Sequence, residues 1–209
     1  MLFGLVLAAI AGVLIAATFE QGTHYQPLAD PQRTDVEDGQ IEVIDFFWYG
    51  CPHCYRLNVI TNDWTDTLGD DVVYRKIPAV FNQRWARHAQ VFYTAEALGI
   101  LDRAHDAIFN AIHSEKKALV DEGEIAALFE DLGVVRPRFE SAFNSFTVNN
   151  KVRQAADLSR RYRLDGVPAL IINGKYRTGP GMAQSYPQML QVVEQLIDQE
   201  RQRQDVAAR

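Results

Sequence analysis

The sequence predicts an α/β protein in which a helical segment interrupts a sheet. A β-rich run leads directly into a helical pattern near residue 50, helical periodicity then dominates from Trp85 to Tyr162, and strand signals return at Ala169. The chain has 209 residues, 47% of them hydrophobic, which suffices for one substantial core with a lobe inserted into it. Two fully separate domains are therefore not expected.

Residues 1–17 are expected to form a signal peptide. Leu2 to Ala17 is an uncharged apolar run, shorter than the roughly 20 residues that span a bilayer. The first basic residue, Arg33, follows this run instead of preceding it, which is not typical of a signal peptide. An uncleaved membrane anchor and a buried helix therefore stay open as alternatives.

Two strands and a helix are expected next. Ile41 to Tyr49 is rich in β-branched and aromatic residues, which is typical of a strand buried on both faces. A second strand is predicted from Val72 to Ile77, and Pro78 ends it. A helix between them is indicated by apolar residues at helical spacing, namely Leu57, Ile60 and Trp64.

The sheet is expected to resume after the helical segment. Ala169 to Ile172 and Lys175 to Thr178 have strand composition, and the turn dipeptide between them is Asn173-Gly174. A last helix begins at Ser185, where Ser185 and Gln188 have the spacing of a capping box.

Composition argues against nucleic acid as a partner. The formal net charge is -6 and the isoelectric point is near 5.4, and no run of five like charges occurs. Charges distributed in this way are typical of an ordinary solvated surface.

The two cysteines are the strongest chemical signal. Cys51 and Cys54 are the only cysteines and stand three positions apart, so they cannot join distant parts of the fold. Zinc normally takes four ligands, and the histidines outside the motif form no His-x3-5-His pair. We therefore expect no metal site.

The motif Cys51-Pro52-His53-Cys54 follows a buried strand and opens a helix, which places the first sulfur at a helix N-terminus. Unpaired backbone N–H groups and the helix dipole stabilise an anion there, and Pro52 is tolerated because its missing N–H would be unsatisfied anyway. We expect Cys51 to be a thiolate at neutral pH, with the charge or a hydrogen bond of His53 lowering its pKa further.

A stabilised thiolate favours the dithiol over the disulfide, so the Cys51–Cys54 disulfide should be passed on readily. The alternative is a permanent structural disulfide or a pair of buried thiols. So short a loop constrains the unfolded chain little, which makes the structural role the weaker interpretation.

An acidic residue stands within the first strand. Asp45 lies six residues before Cys51 on an apolar face, where an ionised carboxylate is costly to bury. A raised pKa would suit Asp45 as a proton relay for Cys54. The alternative is a carboxylate paired with a cation such as Lys76, and we take both residues as candidates for the relay.

Further candidates flank the motif. Val167-Pro168 precedes a strand, where proline is confined to an edge or a strand start, and an X-Pro bond in such a turn can be cis. Trp48, Tyr49 and Tyr55 are candidates for an apolar platform that binds substrate chains. Their alternative is the hydrophobic core.

Together these motifs resemble the DsbA family of thioredoxin-fold oxidases. The resemblance runs from residues 19–22 and Tyr25 to the final helix. Its most specific pieces are Val-Ile-Asp-Phe-Phe at 43–47 before Cys-Pro-His-Cys-Tyr at 51–55, Phe-Asn-Ser-Phe at 143–146, Gly-Val-Pro-Ala at 166–169 and Asn-Gly-Lys-Tyr at 173–176.

The resemblance implies a thioredoxin fold with an inserted α-helical domain. The first part of the thioredoxin-like domain, with the Cys-Pro-His-Cys motif, would occupy 18–82 and the inserted helical domain 83–148. The second part, with the cis-proline loop and the C-terminal helix, would occupy 149–209.

The resemblance also implies residue roles. Cys51 would be the exposed sulfur that forms the mixed disulfide, and Cys54 its buried partner. Pro168 would be the cis-proline, and Val167 would hydrogen-bond the substrate backbone. The resemblance also implies a low thiol pKa and an oxidising redox potential, which are known properties of the family.

The sequence departs from the family pattern at two positions near the motif. The family's buried glutamate is Asp45 here, one methylene shorter, which changes the geometry of a proton relay. Gly50 stands directly before Cys51, so we expect a thinner aromatic wall there.

The resemblance finally implies a periplasmic enzyme that donates its disulfide to unfolded exported proteins with free thiols. A membrane oxidase of the DsbB type would reoxidise it, without a metal or organic cofactor. We expect a monomer. Two alternatives stay open: a disulfide isomerase or reductase, disfavoured because about twenty residues leave no room for a dimerisation domain, and a redox-inert, chaperone-like binding module.

Overall fold

The computed structural model of the chain describes residues 18–207. The expected signal peptide at 1–17 lies outside the described residues. No helix in the described part of the chain is both long and apolar enough to cross a membrane.

The described residues form five strands and seven helices. The strands are β1 (Gln26–Pro27), β2 (Ile41–Phe47), β3 (Val72–Pro78), β4 (Ala169–Ile172) and β5 (Tyr176–Thr178). The helices are α1 (Pro52–Thr65), α2 (Gln83–Ala97), α3 (Leu101–His113), α4 (Glu122–Asp131), α5 (Arg136–Phe143), α6 (Phe146–Arg161) and α7 (Tyr186–Ala207).

The strands form one mixed sheet in the order β1-β5-β4-β2-β3. The central strand β2 pairs in parallel with β3 and antiparallel with β4. Every residue of β2 is buried, as its composition predicted. The short strand β1 was not predicted from the sequence, and it pairs antiparallel with β5.

Helices α2 to α6, called the helical lobe below, lie between β3 and β4 in the chain. The helical periodicity from Trp85 to Tyr162 predicted this segment. The domain boundary expected between residues 148 and 149 falls within α6, and the division of the chain into domains stays a prediction.

Two hydrophobic clusters lie on opposite faces of β2 because successive side chains of a strand alternate. Ile44 and Phe46 pack in the cluster that contains the helical lobe. Ile41 and Val43 pack with α7. The carboxyl end of β2 is thereby fixed between the two layers, and the cysteine motif follows it directly.

The start of α7 differs in one detail from the predicted capping box. The Ser185 hydroxyl accepts a hydrogen bond from the Gln188 backbone N–H at 3.2 Å, as expected. The Gln188 side chain, however, accepts from the N–H of Gln184 at 2.6 Å, not from that of Ser185.

Candidate active site

Cys51 caps the N-terminus of α1. Its backbone is extended, its Sγ accepts a hydrogen bond from the Cys54 N–H at 3.4 Å, and Pro52 occupies the first helical position. The predicted location of the first sulfur at a helix N-terminus is confirmed. Both cysteines are free thiols, so the structure describes the dithiol form and the disulfide between them stays a prediction.

The two thiols have opposite pKa shifts. A hydrogen bond with the Cys54 thiol is the largest influence that lowers the pKa of Cys51 to about 7, and backbone N–H groups of Cys54 and His53 and the charge of Arg56 act in the same direction against burial. Burial and the neighbouring Cys51 sulfur raise the pKa of Cys54 well above its ordinary value. Near neutral pH Cys51 is therefore the thiol that ionises, while Cys54 keeps its proton.

The His53 ring does not contact the thiol in the way the sequence suggested. Its Nδ1 lies 2.9 Å from the Tyr186 hydroxyl and 3.1 Å from Nη2 of Arg56. The contribution of His53 to the Cys51 thiolate comes from its backbone N–H. A nearby cation is Arg56, which no motif in the sequence indicated.

The loop before β4 faces the first sulfur. The Val167-Pro168 peptide bond is cis, and the Cys51 thiol donates a hydrogen bond to the Val167 carbonyl at 3.4 Å. The chain therefore brings together residues 116 positions apart. The binding of a substrate backbone by Val167 stays a prediction.

Cys51 is less accessible than the resemblance implied. Its exposed fraction is 7%, against 2% for Cys54. The difference has the expected direction, but the expected exposed sulfur is buried in this dithiol form. The Val167 carbonyl and the first turn of α1 cover it.

Asp45 is buried close enough to Cys54 for its charge to act on that thiol. It is 4% exposed, its Oδ2 accepts a hydrogen bond from the Tyr74 hydroxyl at 2.8 Å, and within residues 18–207 its buried Oδ1 has no partner. Burial is the main cause that raises its pKa to about 6, against the hydrogen bond from Tyr74 and the charge of Lys76. The charge of Asp45 in turn raises the pKa of Cys54.

Lys76 is not paired directly with Asp45. The two residues are partners in the β2–β3 register, but the Lys76 ammonium donates to Asn58 Oδ1 at 2.9 Å and to Asn62 Oδ1 at 3.3 Å. In the described part of the chain, no ion pair joins Lys76 to Asp45. The alternative of a simple Asp–Lys pair is therefore wrong, although Lys76 acts on Asp45 through its charge.

The three candidate platform aromatics have different environments. Tyr49 is fully buried, and its hydroxyl bonds His105 Nδ1 at 2.8 Å. The proposal that Tyr49 binds substrate is wrong, because the core encloses its ring. Tyr55 is partly exposed, donates to Asn110 Oδ1 at 2.6 Å and stacks on the His113 ring, so its substrate role stays a prediction.

Trp48 builds the aromatic wall that Gly50 was expected to thin. Its indole stacks on Trp85 with ring centroids 4.3 Å apart, and the Phe81 ring also stacks on Trp85 with centroids 4.5 Å apart. A Cβ on Gly50 would collide with the Trp48 ring. The glycine therefore admits the indole, and the expectation of a thinner wall than in other family members stays a prediction.

Comparison with known proteins decides the family. The model of the DSBA-like thioredoxin domain matches residues 70–194. The thiol:disulfide interchange protein DsbA of Pseudomonas syringae pv. tomato is 40% identical over 199 residues, which cover 94% of this chain and 92% of that protein. The chain belongs to the DsbA family.

Other DsbA proteins support the same assignment. The DsbA of Burkholderia cepacia is 37% identical over 95% of this chain and 94% of its own length. The crystal structure of Pseudomonas aeruginosa DsbA superposes with a TM-score of 0.84 at 36% identity, covering 91% of this chain and 97% of that one. The predicted thioredoxin fold with inserted helices is confirmed, and the protein is a thiol–disulfide oxidoreductase.

Proposed function

We propose that this DsbA-family protein donates the Cys51–Cys54 disulfide to thiols of newly exported proteins. The observation that carries the proposal is the position of the Cys51 sulfur. It caps α1 with a pKa of about 7 and faces the Val167 carbonyl beside the cis-proline. Such a sulfur is a good leaving group, which a donor of disulfides requires.

The reaction is two successive thiol–disulfide exchanges. A substrate thiolate attacks the Cys51 sulfur, the Cys51–Cys54 bond breaks, and the Cys54 sulfur leaves with the electron pair and takes up a proton. A second substrate thiolate then attacks the substrate sulfur of the mixed disulfide, and Cys51 leaves as a thiolate. Two electrons pass from the substrate sulfurs to the cysteine pair, and the substrate gains one disulfide.

The remaining parts of the proposal concern the cell and the proton. The protein works in the periplasm as a monomer, and a membrane oxidase of the DsbB type restores its disulfide without a metal or organic cofactor. Asp45 supplies the proton that Cys54 takes up and accepts it again on reoxidation. Its burial and its pKa of about 6 suit both directions near neutral pH.

Equilibration with glutathione buffers tests the redox function. The expected result is an oxidising pair, reduced by very little glutathione, because the Cys51 thiolate stabilises the dithiol. A strongly reducing pair would mean a reductase or a structural disulfide, and the proposal would fail.

A turnover assay separates the enzyme from a redox-inert binding module. The protein and its Cys51→Ser variant are compared for oxidative refolding of a reduced substrate protein. The matched control is Ser141→Ala, a substitution in α5 of the helical lobe. Turnover lost only in Cys51→Ser is expected, whereas turnover kept in that variant would favour the binding module.

A further inference from the structure

A cleft lies along β3, the edge strand that β2 separates from β4. Its volume is about 730 Å³, and Tyr74, Lys76 and His105 line it. Asp102 and Asp106 stand exposed on its rim. The cleft therefore brings solvent to the layer that contains Asp45 and Cys54.

Asp45 itself does not line this cleft. Asp45 is 4% exposed and Cys54 is 2% exposed. A proton that enters or leaves Cys54 through Asp45 needs one more group to reach solvent. Tyr74 is that group, because its hydroxyl donates to Asp45 Oδ2 at 2.8 Å and its side chain lines the cleft.

We propose that Tyr74 carries protons between Asp45 and the cleft and thereby controls how fast Cys54 exchanges its proton. The inference rests on the disulfide exchange proposed above. When the disulfide opens, the Cys54 thiolate takes a proton from Asp45, Asp45 takes the Tyr74 hydroxyl proton, and Tyr74 takes one from water in the cleft. Reoxidation reverses the transfers, so one proton crosses in each direction per cycle.

The groups around Asp45 and Tyr74 leave the proton-transfer role to Tyr74. Lys76 of β3 is the register partner of Asp45, but its ammonium group donates its hydrogen bonds to Asn58 and Asn62. From α1, Cys54 faces Asp45 and Thr61 contacts Tyr74.

The helical lobe and α7 add four further charged or titratable groups around Asp45 and Tyr74. Asp102 and Asp106 of α3 act on Lys76. His105 of α3 lines the cleft with its Nδ1 bonded to Tyr49. From α7, Glu194 accepts from the Trp64 indole, which packs edge-on against Tyr74.

Tyr74→Phe tests the proposal, with Tyr93→Phe as the matched control. Tyr93 lines the same cleft and has no hydrogen bond to Asp45. The reduced protein is mixed with oxidised glutathione, and two steps are timed by acid quenching and mass spectrometry. The first step is attack by Cys51, which forms the glutathione mixed disulfide, and the second is its closure by Cys54.

We expect Tyr74→Phe to slow closure at least about tenfold, as the loss of a proton-transfer group does, while the first step is unchanged. The pH profile of closure should move to higher pH, because Asp45 loses a hydrogen bond that favours its charged form. Small buffers such as imidazole should restore closure in Tyr74→Phe by entering the cleft. Tyr93→Phe should match the wild type in all three respects.

Several results would overturn the proposal. One is closure in Tyr74→Phe with the rate and pH profile of Tyr93→Phe. Another is slow closure that buffer does not restore and whose pH profile is unmoved, which would indicate a structural role. If Tyr74→Phe does not fold, the rate of closure is measured in the wild type at several buffer concentrations. A rate independent of buffer concentration supports proton transfer through the protein, and a rate that rises with buffer concentration overturns the proposal.

The same experiment separates this inference from the function on which it rests. If the wild type does not exchange disulfides with glutathione, the proposed function fails in the first arm. If the wild type exchanges normally and both tyrosine variants behave like it, only the role of Tyr74 fails.

Discussion

Gly50 offers a direct test of the aromatic wall beside Cys51. A Cβ at this position would lie 2.7 Å from Cε2 of the Trp48 indole and closer still to its Cζ2 and Cη2 atoms. The indole is held in place by its stack on Trp85, with a centroid distance of 4.3 Å and nearly parallel rings at 6°. Gly50→Ala must therefore displace either the indole or the backbone next to the catalytic cysteine.

The expected cost follows from those contacts. Overpacking a filled site costs about 1–3 kcal/mol, and the loss of an aromatic pair adds about 0.5–1.5 kcal/mol. We expect Gly50→Ala to lower the free energy of unfolding by about 1.5–4.5 kcal/mol. For a chain of this size that corresponds to a decrease of roughly 3–18 °C in the melting temperature.

Gly181→Ala is the matched control. A Cβ on Gly181 meets no atom within 4 Å, so this variant should stay within about 0.5 kcal/mol of the wild type. Chemical denaturation gives the free energies, and near-ultraviolet circular dichroism reports the coupling of the Trp48 and Trp85 indoles. Equal stability of the two variants with the coupled signal intact in Gly50→Ala would refute the explanation.

Two predictions concern pH. The ultraviolet absorbance of the Cys51 thiolate should titrate with a midpoint of about 7. Arg56→Gln should raise that midpoint by less than about one unit, because the exposed charge of Arg56 is screened by solvent. A midpoint that is unchanged in Arg56→Gln but moved in the distant control Arg138→Gln would contradict the role assigned to Arg56. The pKa of Asp45 is about 6 in the folded protein and 3.8 for the free side chain. Ionisation of Asp45 therefore destabilises the fold increasingly as the pH rises from 3.8 to about 6. Above that pH the destabilisation is constant at about 3 kcal/mol. Asp45→Asn should therefore raise the free energy of unfolding at about pH 7 but not at about pH 4. If the variant and the wild type differed equally at both pH values, the effect would not be electrostatic.

The position of the redox motif could be predicted from the sequence because it depends on neighbouring residues. A proline at the first helical position and a buried strand before it fix the helix start, so the location of Cys51 as the cap of α1 follows from residues 41–54 alone. The helical lobe was likewise predictable because its apolar residues repeat with the helical period over some eighty positions.

The partners of these residues were not predictable from local pattern. Tyr74 reaches Asp45 across 29 positions and Tyr186 reaches His53 across 133, and no periodicity encodes such contacts. Tyr74 did carry a weak signal, because it alternates with Lys76 on the strand that runs parallel to β2.

What the sequence by itself determined is the redox pair, the strand and helix that position it, and the fold class, because each depends on neighbours in the chain. The tertiary structure decided which side chains are accessible. It buried Tyr49, directed the His53 ring to Tyr186 instead of the thiol, and let Trp48 pack over Gly50. These outcomes depend on how layers distant in sequence pack together, and packing fixes the burial, and with it the pKa, of the groups that move protons.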